Sequence, residues 1–396
     1  MSAAYPKPAI PLTPLLGSNV PASEAFSTMP SVLSIKYACM TTSGRYAIAL
    51  ALKHIGLKSG DVVLIPAYHC EAMVVPVRWI GASPVFYSIN ADTSINLDDI
   101  RHKIDPNVKV IIVTHYFGFV QNLKEIRSLC DQKDIRLIED CAHAFFGTDN
   151  NQEIVGKMGH YAIASSMKFL PIYEGGFLCS ETIDLKDIKM MSPSISFQLK
   201  SLVNTLEKSL AYNRLGFTGK LLNAVFSIKN TLWTALKKIN RSSLGVSAGP
   251  SSSDGGYGLD EAWIQKTISW PSQLILRFAD LNNTAHRRRE NYLKIHAVLA
   301  KLPNCHPLFE NLPSQVAPWV YPLYVNNPDQ CFSALKSQGV PIWRFGEFLD
   351  PEVDEKTCSV SVDYSKHIFQ FPCHQSLTDQ DINWMLKQIT QTLTEA

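Results

Sequence analysis

Four apolar runs are spaced along the first half of the chain: Val62-Val63-Leu64-Ile65, Pro84-Val85-Phe86-Tyr87, Val110-Ile111-Ile112-Val113 and Arg136-Leu137-Ile138-Glu139. Each is short, rich in β-branched or aromatic residues and nearly continuous in apolar character, as expected of strands buried on both faces. Between them, the stretches 45–56, 70–80, 95–103 and 121–132 carry apolar residues at helical spacing. Strands alternating with helices predict an α/β fold with a mostly parallel sheet covered on both sides. Polar residues sit at the strand ends: His115 follows one run and Asp140 closes another. Open α/β sheets bind their ligands at those ends.

The pattern changes after residue 185. Residues 218–239 place Leu221, Val225, Ile228, Leu232, Leu236 and Ile239 on one helical face, and no acidic residue occurs between Lys208 and Ser253. A Ser/Gly-rich stretch over 242–256 follows. Helical patterns return after 259, and residues 318–325 and 366–371 read as strands of a smaller α+β domain that ends in a helix over 378–393. The expected organisation is an arm over 1–35, a large domain over 36–280 with a basic helical insertion at about 185–255, and a small domain over 281–396. The length prior of about two or three domains agrees.

Composition removes several classes. The formal net charge is +2 from 37 basic and 35 acidic residues, so no basic field points to nucleic acid. Nine scattered cysteines with no CxxC pair favour reduced thiols and a cytoplasmic setting over a disulfide framework or a metal site. No run of eighteen apolar residues predicts a membrane span. Gly245-Val246-Ser247-Ala248-Gly249 matches a hydrolase elbow, but Ser and Pro flank it in place of a strand and a helix. Arg287-Arg288-Arg289 falls on a predicted helix and reads as a solvated face.

One constellation carries chemistry. Ser165-Ser166-Met167-Lys168 follows the short apolar run Tyr161–Ser165, and Glu174-Gly175-Gly176 comes six residues later. A lysine after a strand, a hydroxyl three residues before it and an aspartate from a neighbouring strand suit pyridoxal 5'-phosphate (PLP). The lysine forms a Schiff base, the hydroxyl binds phosphate and the aspartate keeps the ring nitrogen protonated. The glycines would let the backbone approach a bound ring. The same spacing matches the SxxK of penicillin-binding enzymes, whose SDN and KTG partners are missing here. Asp140 also suits capping a helix over Cys141–Phe145. Ser43-Gly44-Arg45-Tyr46 opens a helix, whose free amides attract phosphate.

These pieces together resemble the DegT/StrS family of sugar aminotransferases, PLP enzymes of fold type I. Ser43-Gly44-Arg45 is similar to the family's SGT element, and Pro66-Ala67-Tyr68-His69 with Gly81–Phe86 to its PxxT and GAxPVF segments. His115-Tyr116-Phe117-Gly118 is similar to HLYG, Glu139–Ala144 to EDxAQA with His143 in place of Gln, and Lys168 to Gly176 to K…EGG. The resemblance implies that Lys168 holds the cofactor and moves the proton and that Asp140 pairs with the ring nitrogen. It further implies that Ser43, Gly44, Arg45 and Tyr46 with Ser165 hold the phosphate, that His143 lies near the ring hydroxyl, and that His115 and Glu174 face substrate. It implies a homodimer that takes glutamate as donor and a nucleotide-linked keto-sugar as acceptor, in surface-polysaccharide or secondary-metabolite biosynthesis.

The chain departs from the family in three places. Ile163 stands where the phosphate serine is usual, so Ser165 or Ser166 takes its role. Cys70 stands where an aromatic stacks on the ring, which leaves Tyr68 or His69 for stacking. The NYRMS element is not recognisable near Lys266–Trp270. Two further readings follow: a non-sugar, even lipid-linked, carbonyl acceptor, and a non-catalytic scaffold. The basic stretch 208–241 suits a helix packed on the small domain or at a dimer contact, or else an anionic membrane surface or partner protein.

Overall fold

A computed structural model describes residues 5–17, 29–216 and 258–395. The helix expected over 218–239 and the linker over 242–256 lie outside the described residues, as does most of the basic stretch. Within that stretch, Arg214 forms an ion pair with Asp381. Among the described residues no helix is long and apolar enough to cross a membrane.

The first half of the chain forms β1 (Tyr37–Thr41), α1 (Gly44–Ile55), β2 (Val62–Pro66), α2 (Glu71–Trp79), β3 (Ser83–Tyr87), α3 (Leu97–Lys103), β4 (Val108–Thr114), α4 (Lys124–Lys133), β5 (Arg136–Cys141), β6 (Tyr161–Ala164) and β7 (Gly176–Ser180). The seven strands make one sheet in the order β1-β7-β6-β5-β4-β2-β3. Strands β3, β2, β4, β5 and β6 run parallel, while β7 is antiparallel to both β6 and β1. The parallel strands are buried along almost their whole length, as the continuous apolar runs require.

Helix α1 is buried from Gly44 to Leu52, so it lies inside the molecule rather than on it. Gly56 ends it in the left-handed region, at φ +83°, with its amide bonded to the Leu52 and Lys53 carbonyls. The Ser43 hydroxyl makes no capping bond at the other end.

The second half begins with α5 (Ile195–Ala211), α6 (Trp270–Phe278) and α7 (Leu281–Leu299). There follow β8 (Cys305–Pro307), β9 (Val320–Val325), α8 (Pro328–Ser337), β10 (Trp343–Arg344), α9 (Glu355–His367), β11 (Ile368–Pro372) and α10 (Asp379–Glu395). Strands β10-β11-β9-β8 form a small antiparallel sheet. Its apolar face packs on α7, α8 and α10 through Tyr292, Ile295, Leu335 and Ile389. Residues 5–17 run across this unit: Ala9 donates to the Gly339 carbonyl, and Leu15 donates to the Ser376 hydroxyl.

The residues after Asp140 do not form the helix expected over Cys141–Phe145. Asp140 accepts the Ala142 amide at 2.9 Å and closes a tight turn, which keeps its carboxylate at the strand end. Residues 287–289 are not a solvated face either. Arg288 has no solvent exposure, and it lies in register with the buried Ala285, Tyr292, Ile295 and Leu299 of α7.

Candidate active site

The C-terminal ends of β5 and β6 and the starts of α1 and α2 converge on a cavity of about 330 Å³. Its wall includes Ser43, Gly44, Arg45, Cys70, Asp140, Ala142, His143, Ser165 and Lys168 from the large sheet's side. Trp319 and residues 343–348 complete it from the small sheet's side. The aspartate, lysine and helix start separated in sequence are thus neighbours in space.

Two neighbouring glycines make the convergence possible. A Cβ on Gly176 would overlap the Ser43 carbonyl group and the Gly44 nitrogen, and one on Gly175 would overlap the Ser166 hydroxyl. The Gly175 amide also donates to the Thr42 carbonyl at 2.9 Å. Glu174-Gly175-Gly176 therefore lets β7 press against the start of α1. It does not open the backbone to a ring, as the sequence suggested.

The electrostatics of the cavity are those of charged groups with little water. Burial lowers the Lys168 ammonium below the ordinary lysine value, with Cys70 and Asp140 opposing the shift. Burial raises the Asp140 carboxyl, opposed by the Ala142 amide, Lys168 and His115. The Cys70 thiol is also raised by burial. His143 is pushed well below its ordinary value, first by burial and then by Lys168, so its imidazole is neutral. Its ring stacks on Trp319 with centroids 4.0 Å apart, and its Nδ1 has no hydrogen-bond partner.

Ser165 and Ser166 diverge. Ser165 lines the cavity. The Ser166 hydroxyl is fully buried against Gly175, has no partner and is absent from the wall. Ser43 lines the cavity with a buried hydroxyl that has no partner. The side chain of Tyr46 faces away, and its hydroxyl accepts the Asp260 amide at 3.3 Å.

Tyr46 is one of five expected residues that lie off the cavity wall; the others are Tyr68, His69, Glu174 and His115. Tyr68 is fully buried and its ring stacks on Tyr116 at 5.3 Å, edge-on to Phe345. His69 stacks on Phe86, donates to the Ala67 carbonyl and accepts the Asp350 amide, and burial lowers it to about 4. Neither ring is available to stack on a ligand. The aromatic surfaces in the wall belong to His143, Trp319, Trp343, Phe345 and Phe348.

Glu174, expected at the substrate, turns its buried carboxylate to the start of α6. It accepts the Ser269 amide at 2.8 Å and the Ser272 hydroxyl at 3.1 Å. His115, also expected at the substrate, is fully buried and outside the wall, behind Asp140.

His115, Glu139 and Cys141 bring three donor atoms within 4.8 Å. The Gln121 amide donates to His115 Nδ1 at 3.0 Å, which leaves the proton on Nε2, 3.9 Å from Glu139. A protonated nitrogen has no lone pair for a cation, so the group reads as a buried His–carboxylate pair.

Sequence reasoning missed Trp319 and Arg288. Trp319 sat inside an apolar strand pattern that reads as core. Arg288 was legible from its register with the buried positions of α7.

A sheet with this strand order and a single reversed strand, with a cavity at its strand ends closed by a smaller antiparallel unit, is the architecture of the fold-type-I transferases. Solved structures share it. PseC from Helicobacter pylori, an aminotransferase involved in the biosynthesis of pseudoaminic acid, superposes at a TM-score of 0.63 with 15% identity, over 92% of this chain and 89% of that one. A putative sugar aminotransferase from Streptococcus pneumoniae, in its PMP form, gives 0.62 with 18% identity, over 91% and 88%.

The chain belongs to the DegT/DnrJ/EryC1/StrS aminotransferase family, whose sequence profile matches residues 22–241. It is 32% identical over 153 residues to GDP-perosamine synthase of Vibrio cholerae, a match covering 38% of this chain and 41% of that protein. The chain thus spans about two fifths of the length of the curated relatives it matches.

Proposed function

We propose that this protein is a PLP-dependent aminotransferase that transfers an amino group from glutamate to a nucleotide-linked keto-sugar, in surface-polysaccharide or secondary-metabolite biosynthesis. One observation carries the reading: Lys168, Asp140 and the unpartnered Ser43 hydroxyl meet at one cavity.

The residues fit a phosphorylated pyridine. A helix start, the Ser43 and Ser165 hydroxyls and Arg45 suit a phosphate. The raised carboxyl of Asp140 is stabilised as carboxylate by a cationic ring nitrogen. His143 offers an unpartnered Nδ1 to a ring hydroxyl.

PLP, when bound, supplies an electron sink for breaking a bond at the amino carbon. The chain supplies the rest. Lys168 has a lowered affinity for protons, so a larger fraction of its side chain is free amine, fit to bind the cofactor and to carry a proton. Asp140 holds a proton on the ring nitrogen. His143, Trp319 and Phe345 exclude water. The keto-sugar acceptor is supported by the relatives, one named for a GDP-linked amino sugar and one for pseudoaminic acid biosynthesis. The reading includes a homodimer in the cytoplasm.

The test is spectroscopic and then catalytic. The purified protein should absorb visible light with PLP, and borohydride should fix the cofactor to wild type but not to Lys168→Ala. Glutamate with nucleotide-linked keto-sugars should release 2-oxoglutarate. Protein that takes up no cofactor sinks the reading. Turnover with other carbonyl acceptors alone sinks the sugar assignment.

A further inference from the structure

Arg288 is a guanidinium with no solvent exposure, and its five hydrogen bonds all go to oxygens without formal charge. It donates to the carbonyls of Lys168 at 2.9 Å, Phe169 at 3.4 Å, Trp319 at 2.9 Å and Pro318 at 3.4 Å, and to Gln375 Oε1 at 3.1 Å. Its plane lies over the Phe169 ring, 4.6 Å from the centroid. Gln375 completes the clasp by donating to the Phe169 carbonyl at 2.7 Å. Burying a charge with only carbonyl partners is costly, and burial lowers Arg288 to about 10. An apolar residue would fill this place more cheaply, unless the fork itself is what the site requires.

We propose that Arg288 is a positioning residue that clamps the main chain of Lys168 to that of Trp319, and so fixes the lysine amine in the cavity. The inference rests on the assignment of Lys168 as the cofactor-binding lysine. Geometry supports it: Lys168 Nζ lies 4.4 Å from the centre of the Trp319 ring. The same guanidinium holds the backbone at both ends of that contact. Beyond the fork, the Lys168 side chain meets Trp319 through the contact of its ammonium with the indole face.

The experiment compares Arg288→Lys, which keeps the charge and loses the fork, with wild type and with Arg289→Lys. Arg289 also donates to carbonyls, those of Pro313 and Val316, but does not touch the Lys168 segment. The first readout is the pH dependence of acylation of Lys168 in cofactor-free protein, followed by peptide mass spectrometry. Loosening Lys168 relieves the burial that is the largest cause of its lowered value; this outweighs the lost support of Cys70, Asp140 and the Trp319 face, so the midpoint should move up, towards that of an ordinary lysine. In the loaded enzyme, kcat should fall roughly 100-fold with KM for the amino donor within about twofold, as expected for a small misplacement of a reacting group. Arg289→Lys should lower only the melting temperature.

If Arg288→Lys does not fold, Gln375→Leu loosens the same clasp and should move both readouts in the same direction. A lower melting temperature with an unchanged acylation midpoint and kcat overturns the proposal. Wild type that holds no cofactor on Lys168 overturns the functional reading instead, and the acylation midpoint in cofactor-free protein still decides the role of Arg288.

Discussion

Lys168 and Trp319 are 151 positions apart, yet the lysine Nζ lies over the tryptophan ring, 4.4 Å from its centre. An aromatic face favours the charged form of a lysine by about 0.5–2 kcal/mol. Trp319→Leu should therefore lower the proton affinity of Lys168 further. Acylation of Lys168 in cofactor-free protein at fixed neutral pH should accelerate roughly 2- to 30-fold, the rate equivalent of that energy. Unchanged labelling would mean that the contact has no electrostatic weight.

Ser165 and Ser166 should separate cleanly. Ser165→Ala removes a hydroxyl at the cavity and should weaken PLP retention roughly 10- to 100-fold, the value of a hydrogen bond to a charged group. Ser166→Ala removes a buried, unpartnered hydroxyl and should leave PLP affinity within about threefold, a small fraction of such a bond. Equilibrium dialysis of the cofactor measures both.

The raised carboxyl of Asp140 makes a pH prediction for cofactor-free protein. With the folded value above the ordinary 3.8, the folded state holds more protons than the unfolded state between the two values. Stability therefore falls as pH rises through that window, and above it the deficit is fully present. Asp140→Asn should melt higher than wild type at pH 7, and the gap should close as pH falls towards 3.8. Saturating PLP should reverse the order. Thermal melts with and without cofactor check both signs.

Glu174 should prove to be a fold residue. Glu174→Ala leaves the Ser269 amide without its acceptor at the start of α6 and should cost about 1–3 kcal/mol of stability. Glu174→Gln keeps a carbonyl oxygen for that amide and should recover most of the loss. The KM for either substrate should stay within about twofold in both variants, since a group outside the cavity contributes no binding energy. A selective rise in KM would restore Glu174 to the substrate.

The parallel strands and their helices were legible because buried strands leave an unmistakable apolar run. Asp140 and Ser165 were legible because a polar residue at the end of such a run has few other reasons to be there. Strands β1 and β7 were harder: Tyr37–Thr41 and Gly176–Ser180 are short and mixed, and they become strands by pairing with each other and with β6. The misplaced residues share one cause. The pattern puts Glu174, His115, Tyr68 and His69 near the site, but the direction of each side chain is set by its partner, far along the chain for Glu174, Tyr68 and His69 and in the next turn for His115. Ser269, Gln121, Tyr116 and Asp350 are those partners.

Because Arg288 and Trp319 hold the segment around Lys168, its final geometry depends on residues translated more than a hundred codons after it. Chains grow from the N-terminus, and the large sheet is complete in sequence well before α7 leaves the ribosome. A nascent chain can thus assemble its sheet without assembling its chemistry. If Lys168 holds the cofactor as proposed, the ratio of loaded to total protein serves as a gauge of how many chains have docked α7 and Trp319 onto the Lys168 segment.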